Sequence, residues 1–299
     1  MAGSEFEWGA RTYVMGILNI TPDSFSGDGL AGSGNPPDLV AGAVRQARLF
    51  VEAGADLLDI GGESTRPGAQ TVSADQELAR VRPVVEALAA EFPGTPLSID
   101  TYKAVVAAAA LDAGAAMVND VWGLRADPAM AALVAARVVP VVIMHNRLTP
   151  NSAEVRARLG GRYVGVNYDN LIEDIKRELL ESVSIAHQAG VADTQIILDP
   201  GIGFGKSVPQ NLMLLDRLDE LRALGYPLLL GPSRKSFIGF TLDLPPDQRI
   251  EGTAAAVAIG IDRGADIVRV HDVPEMVRVA RMADAIVRKS SRPGSKSPP

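Results

Sequence analysis

Residues 196–206 read IILDPGIGFGK: three apolar residues, Ile196 to Leu198, then an acid, Asp199, then a glycine-rich turn ending at Lys206. An unbroken apolar run closed by a polar group suits a strand covered on both faces, as parallel strands are. The pattern recurs along the chain. VMGIL precedes Asn19 and TPDSFS, LLDI precedes GGESTRPG, LSI precedes Asp100, and AMV precedes Asn119 and Asp120. VVIM leads to His145, LLLG to PSRKS, and IV to RVH. A polar group at the end of each buried strand is how a β/α barrel builds a pocket on one face.

Between these runs lie longer segments of helical period. Strands are expected near 14–19, 56–60, 96–100, 116–119, 140–145, 195–199, 228–231 and 266–271. Helices are expected near 38–53, 75–91, 103–113, 128–137, 169–189, 209–224, 250–263 and 274–288. Strict alternation of strand and helix implies a parallel sheet with right-handed crossovers. Eight such units favour closure into a single-domain (β/α)8 TIM barrel of class α/β, with an open doubly wound sheet as the alternative. Asp38 after Pro36-Pro37 is a candidate N-cap, and Ser73 with Gln76 forms a candidate capping box. Gly54, Gly114 and Gly264 stand where helices should end. Three strand-to-helix connections are long, Thr21 to Pro37, Gly61 to Val72 and Asn146 to Tyr168, and are expected to be binding loops.

Length allows one such barrel: 299 residues against about 250 for the fold. The expected division is an N-terminal extension over 1–12, the barrel over 13–289 and a disordered Ser/Pro/Gly-rich tail over 290–299. GSEF at Gly3–Phe6 is compatible with an expression scar. A net charge of -7 and a pI near 5.1, with no basic stripe, argue against nucleic acid as a partner. Any anionic ligand must therefore meet locally placed cations. The absence of cysteine excludes disulfides, thiolate metal sites and a cysteine nucleophile. No apolar stretch approaches the roughly 18 residues of a membrane span. No signal-peptide pattern opens the chain, so a cytoplasmic protein is expected.

The strand ends carry the candidate chemistry. Asp59, Asp100, Asn119 and Asp199 end strands two, three, four and six, where carboxylates and amides can meet a flat amino-heterocycle. One such Asp is commonly a helix cap; four argue for a shared pocket, with Asp59 the one best suited to a support beneath it. Arg66, Arg234, Lys235 and Arg269 occupy mouth positions as anion-binding groups. Arg269, His271 and Asn19 come from the last and first strands, neighbours in a closed barrel, and suit a phosphate or diphosphate with a cation on the Asn19 carbonyl. DPGIGFGKS is not a P-loop, because Pro200 stands where the first glycine is required, and its glycine spacing also misses the dinucleotide fingerprint. His187 lies on an expected helix as a surface or support group, and the three histidines show no metal-ligand spacing.

In their order and context, MGILNITPDSFS, DIGGESTRPGA, SIDTYK, VNDVWG, LDPGIGFGK, PSRKSFIG and RVHDV resemble the dihydropteroate synthase family from about Val14 to Val287. The resemblance implies a (β/α)8 homodimer. It also implies Mg²⁺-assisted condensation of 6-hydroxymethyl-7,8-dihydropterin diphosphate with p-aminobenzoate, with sulfonamides as competitive ligands. It assigns Asp100, Asn119, Met144, Asp199, Phe204, Gly231 and Lys235 to the pterin. Asn19, Thr65, Arg269 and His271 fall to the diphosphate, with Asn19 also the metal position. Phe25, Thr65, Arg66, Pro67, Phe204, Arg234 and Ser236 fall to p-aminobenzoate. Asp23, Arg66, Asp100, Asp199 and Lys235 are its catalytic set, Asp23 either ordering loops or receiving the amine proton. The first loop reads SFSGDG where the family commonly has SFSDGG, and the segment after VVIMH follows no family pattern, leaving only a mobile loop as the expectation. The alternatives are a pterin-dependent methyltransferase domain and a non-catalytic pterin-binding paralogue.

Overall fold

The computed structural model describes residues 6–21, 36–64, 71–147, 153–156, 158–163 and 166–288. Asp23, Phe25, Thr65, Arg66, Pro67 and the tail lie outside the described residues. In chain order the elements are β1 (Tyr13–Asn19), α1 (Pro36–Ala53), β2 (Leu57–Gly61), α2 (Ala74–Glu91), β3 (Leu97–Asp100), α3 (Ala104–Asp112), β4 (Met117–Asp120), α4 (Ala129–Arg137) and β5 (Val141–Met144). There follow β6 (Ala153–Arg156), β7 (Gly160–Tyr163), α5 (Leu171–Gln188), β8 (Ile196–Asp199), α6 (Val208–Asp216), α7 (Asp219–Arg222), β9 (Leu229–Leu230), α8 (Ser236–Leu242), α9 (Ile250–Asp262), β10 (Ile267–Val270) and α10 (Val273–Val287).

Eight parallel strands run in the order β8-β5-β4-β3-β2-β1-β10-β9, and a bridge between Leu198 and Leu228 joins the two ends. The sheet is therefore the expected barrel and not an open sheet. Its weakest seam is β9, a two-residue strand flanked by Pro227 and Pro232, neither of which has an N–H for a ladder.

Period-two alternation sorts each strand into an inward and an outward set. Met15, Leu57, Met117, Val142, Ile197, Leu229 and Ile267 point inward and fill the barrel floor. Val14, Leu58, Val118, Ile143, Leu198 and Val268 point outward under the helices. Two residues beyond the floor layer, the inward set becomes Asp59, Asn119, Met144, Asp199, Gly231 and Arg269. One step of the pleat thus turns an apolar plug into a polar mouth. Phe6 packs on the floor from below and stacks on Trp8 at 5.1 Å, so the last residue of GSEF belongs to the folded base.

Ser73 and Gln76 form the expected capping box, with bonds of 3.2 and 3.1 Å. Three expectations are revised. α1 begins at Pro36, so Asp38 sits in its first turn and is not the cap. The helix expected over 209–224 is two helices, α6 and α7, with Leu214, Leu215, Leu218 and Leu221 buried across the break. The segment after β5, expected only as a mobile loop, carries the antiparallel hairpin β6–β7. That hairpin is fastened at its turn, where buried Arg249 donates to the Leu159 carbonyl at 2.8 Å.

Candidate active site

The mouth is organised around one guanidinium. Arg269 on β10 donates from Nε to Asp59 Oδ2 (2.6 Å) and from Nη2 to Asp100 Oδ2 (2.7 Å). Asp59 is fully buried and also accepts from Asn119 Nδ2 at 3.0 Å. It is thus the support beneath the pocket, holding a cation with one lone pair and an amide with another. Burial pushes the Asp100 carboxyl up to about 7; Arg269 opposes the shift and the nearby Asp59 carboxylate adds to it. Two acids sharing one cation in a dry site resist ionising together.

Asp199 ends β8, and its Oδ1 accepts from Gly201 N at 2.7 Å. Desolvation raises this acid, against the pull of Lys235. Lys235, the residue before α8, donates to the Ile202 carbonyl and lies 4.5 Å over the Phe204 ring. Burial lowers its ammonium to about 8 while Asp199 draws it up. Met144 packs with Phe204 and Val121 as an apolar wall. Gly231 faces the same space, its Cβ direction passing 3.9 Å from Lys235 Nζ. Glycine at 201 and 203 is required for close approach as well as for φ of +68° and +83°. A Cβ at 201 would lie 1.9 Å from the His145 carbonyl oxygen, and one at 203 would lie 2.6 Å from Lys235 Cδ.

Beside this pocket, Asn19 Nδ2 and His271 Nε2 approach to 3.5 Å, and His271 is held by Ser233 Oγ at both its N (3.1 Å) and Nδ1 (3.0 Å). β1 and β10 pair in register, Met15 against Arg269, which puts Asn19, Arg269 and His271 on one side of the mouth. Ser236 opens α8, half-buried next to Lys235. Arg234 has a left-handed backbone (φ +55°), and its guanidinium donates to Asp272, the residue after His271, from Nε at 3.0 Å and from Nη2 at 2.5 Å. Asp120 is a turn support, accepting from Trp122 N and Leu124 N at 2.8 and 2.9 Å. His187 pairs with Asp193 on the surface.

Sequence reasoning overlooked Ser233, which stands in the quoted PSRKS, and a chain of buried groups running from Lys206 through His145 to Glu178. The signal for the latter was present, a lysine at the end of an apolar, glycine-rich loop.

A family model described as pterin binding enzyme matches residues 15–271. The dihydropteroate synthase of Bacillus subtilis is 48% identical over 286 residues, covering 96% of this chain and 92% of that protein. Among solved structures, the dihydropteroate synthase of a Clostridium species, crystallised in the presence of pteroic acid, superposes with a TM-score of 0.85. It is 48% identical, over 95% of this chain and 100% of that one. The Yersinia pestis dihydropteroate synthase in a sulfonamide drug complex superposes at 0.82, 41% identical over 94% and 95% of the two chains.

Proposed function

This chain belongs to the pterin-binding enzyme family and, within it, to the dihydropteroate synthases, and from that premise we propose how its residues divide the reaction. It is a transferase of folate biosynthesis. It condenses 6-hydroxymethyl-7,8-dihydropterin diphosphate with p-aminobenzoate to give 7,8-dihydropteroate and diphosphate. The observation that carries this assignment is the convergence of Asp100, Asn119, Asp199, Lys235 and Arg269 from different strands on one mouth.

The amino-bearing edge of the pterin offers N–H donors to Asp199 and Asp100, Asn119 completes that edge, and Lys235 donates to the ring oxygen. Met144, Phe204 and Gly231 bound the flat slot. Binding frees Asp100 from Arg269, whose guanidinium stays on Asp59 and turns to the diphosphate with Asn19, His271 and Thr65. Negative charge held against the ring favours electron release toward the exocyclic methylene. The C–O bond breaks with cation-like character, and diphosphate leaves with the electron pair. The arylamine nitrogen then forms the C–N bond and gives up a proton. Asp23, Phe25, Thr65, Arg66, Pro67, Phe204, Arg234 and Ser236 are assigned to closing over and holding p-aminobenzoate, with Asp23 ordering the loops or taking that proton. Sulfonamides occupy the same subsite as competitive ligands.

Mg²⁺ fits this donor set. The Asn19 amide oxygen is a hard ligand, and no cluster of three metal-binding side chains competes for the ion among the described residues. Mg²⁺ commonly takes one or two protein oxygens beside substrate phosphates and water. When bound it supplies positive charge beside the departing diphosphate. We assign a homodimer contact to α9 and α10, where Met282 and Ile286, each 64% exposed, line an apolar groove with Ile250, Ala254 and Ala258. The proposed setting is the cytoplasm; no helix among the described residues is long and apolar enough to cross a membrane. The test is diphosphate release with Mg²⁺, pterin diphosphate and p-aminobenzoate, repeated across a sulfonamide titration. Release that depends on p-aminobenzoate and yields dihydropteroate is expected. Pterin binding without such release would instead favour a non-catalytic paralogue.

A further inference from the structure

Below the pterin slot, Lys206 is 2% exposed and its ammonium meets three acceptors: the Gly201 carbonyl (2.9 Å), the Phe204 carbonyl (3.0 Å) and His145 Nδ1 (3.0 Å). An ammonium has three protons and accepts nothing, so the three partners match its whole capacity. His145 Nε2 lies 3.0 Å from Glu178 Oε2, and Glu178 is fixed by Arg147 Nε at 2.9 Å. A neutral imidazole with its proton on Nε2 satisfies both contacts, donating to Glu178 and leaving the Nδ1 lone pair for Lys206. Burial and Lys206 together lower His145 to about 3, against the pull of Glu178, which keeps the ring neutral.

We infer that Lys206 is a positioning residue that ties the β5 wall to the loop after β8 and thereby sets the separation of Met144, Asp199 and Phe204 around the pterin. Each partner leads directly to a pocket group. His145 follows Met144, Gly201 N holds the Asp199 carboxylate, and the Phe204 carbonyl belongs to the residue whose ring packs on Met144 and lies under Lys235. The Ile202 carbonyl that receives Lys235 sits inside the same turn. Asn211 braces the turn from α6, accepting from Gly203 N and donating to the Lys206 carbonyl at 3.1 Å. A buried ammonium whose hydrogen-bond partners are neutral is costly to desolvate, and a methionine would fill the space without that cost. Desolvation lowers this ammonium to about 7, with Asp199 opposing. What methionine cannot do is hold three pocket walls to one point.

The inference rests on the pterin assignment above. It is tested by steady-state kinetics of Lys206→Met and His145→Leu beside the wild type, well below each protein's melting temperature. A displacement of about 1 Å can cost on the order of 10²-fold, so KM for the pterin diphosphate should rise at least about tenfold in Lys206→Met. The KM for p-aminobenzoate, whose assigned subsite shares only Phe204 with the three groups that Lys206 positions, should move less. His145→Leu should give the same split with a smaller rise, and it decides the matter if Lys206→Met does not fold. A merely structural role would lower the melting temperature and leave the pterin KM of the folded enzyme unchanged, which would overturn the inference. Failure of the wild type to form dihydropteroate would instead overturn the activity on which the inference stands.

Discussion

Asp59→Asn removes a fully buried charge beneath the mouth with almost no change in volume, so its effect can be worked from the contacts. Asp59 Oδ2 holds Arg269 at 2.6 Å and Asn119 at 3.0 Å. Removing one partner of a buried ion pair costs about 3–5 kcal/mol. Arg269 keeps Asp100 at 2.7 Å, which places the loss near the lower bound, about 3 kcal/mol. At about 2 °C per kcal/mol for a large domain, the melting temperature should fall by about 6 °C. Ligand binding suffers separately. With Asp59 neutral, Arg269 rests on Asp100 alone and competes with the pterin for it, while Asn119 loses its anchor. A competition of about 1.4–2.8 kcal/mol corresponds to about 10–100-fold weaker pterin binding. Scanning calorimetry reads the first effect and isothermal titration with a dihydropterin reads the second. A variant that melts where the wild type does and binds the pterin equally well would show that Asp59 neither braces Arg269 nor shapes the pocket.

Asp199→Asn and Lys235→Ala should each abolish pterin binding in calorimetry, and unchanged affinity in either would remove that residue from the pterin site. Gly201→Ala places a methyl 1.9 Å from a backbone oxygen at a left-handed φ. The conformation alone costs about 1–3 kcal/mol, so a lower melting temperature and lost pterin affinity are expected, and wild-type values for both would refute the packing. The kcat/KM for the pterin diphosphate should be bell-shaped. Asp100 must be ionised to accept from the pterin, so the rate rises through about pH 7, and Lys235 must be protonated to donate, so it falls through about pH 8. A flat profile between about pH 6 and 9 would contradict both roles. Finally, Met282→Glu with Ile286→Glu should convert a dimer into monomers in sedimentation, whereas an unchanged mass would move the contact off α10.

Much of the fold is legible because a strand covered on both faces has to be apolar until the barrel mouth, so each polar group ending a run marks both a strand end and a pocket position. Asp100, Asn119 and Asp199 follow from that rule, and the start of α2 follows from the Ser73–Gln76 capping box. The hairpin β6–β7 escapes it. AEVR alternates apolar and charged residues over only four positions and GGRY does not alternate, and the hairpin turn is secured by an arginine 90 residues away in the chain, from Arg249 to the Leu159 carbonyl. The partner of Arg234 escapes for a similar reason: its guanidinium meets Asp272, 38 residues away in the chain, from a left-handed backbone.

By itself, then, the sequence determined the number of strand–helix units, the face on which they place their polar ends and the family they form. These follow from local period, capping and motif order, which require no knowledge of what lies across the barrel. Tertiary structure alone decided which charge answers which. It joined Arg269 to Asp59 and Asp100 from strands more than 160 residues apart in the chain, and it brought Lys206 under His145. A hydrogen bond acts over about 3 Å, and only closure of the sheet brings such residues within that distance.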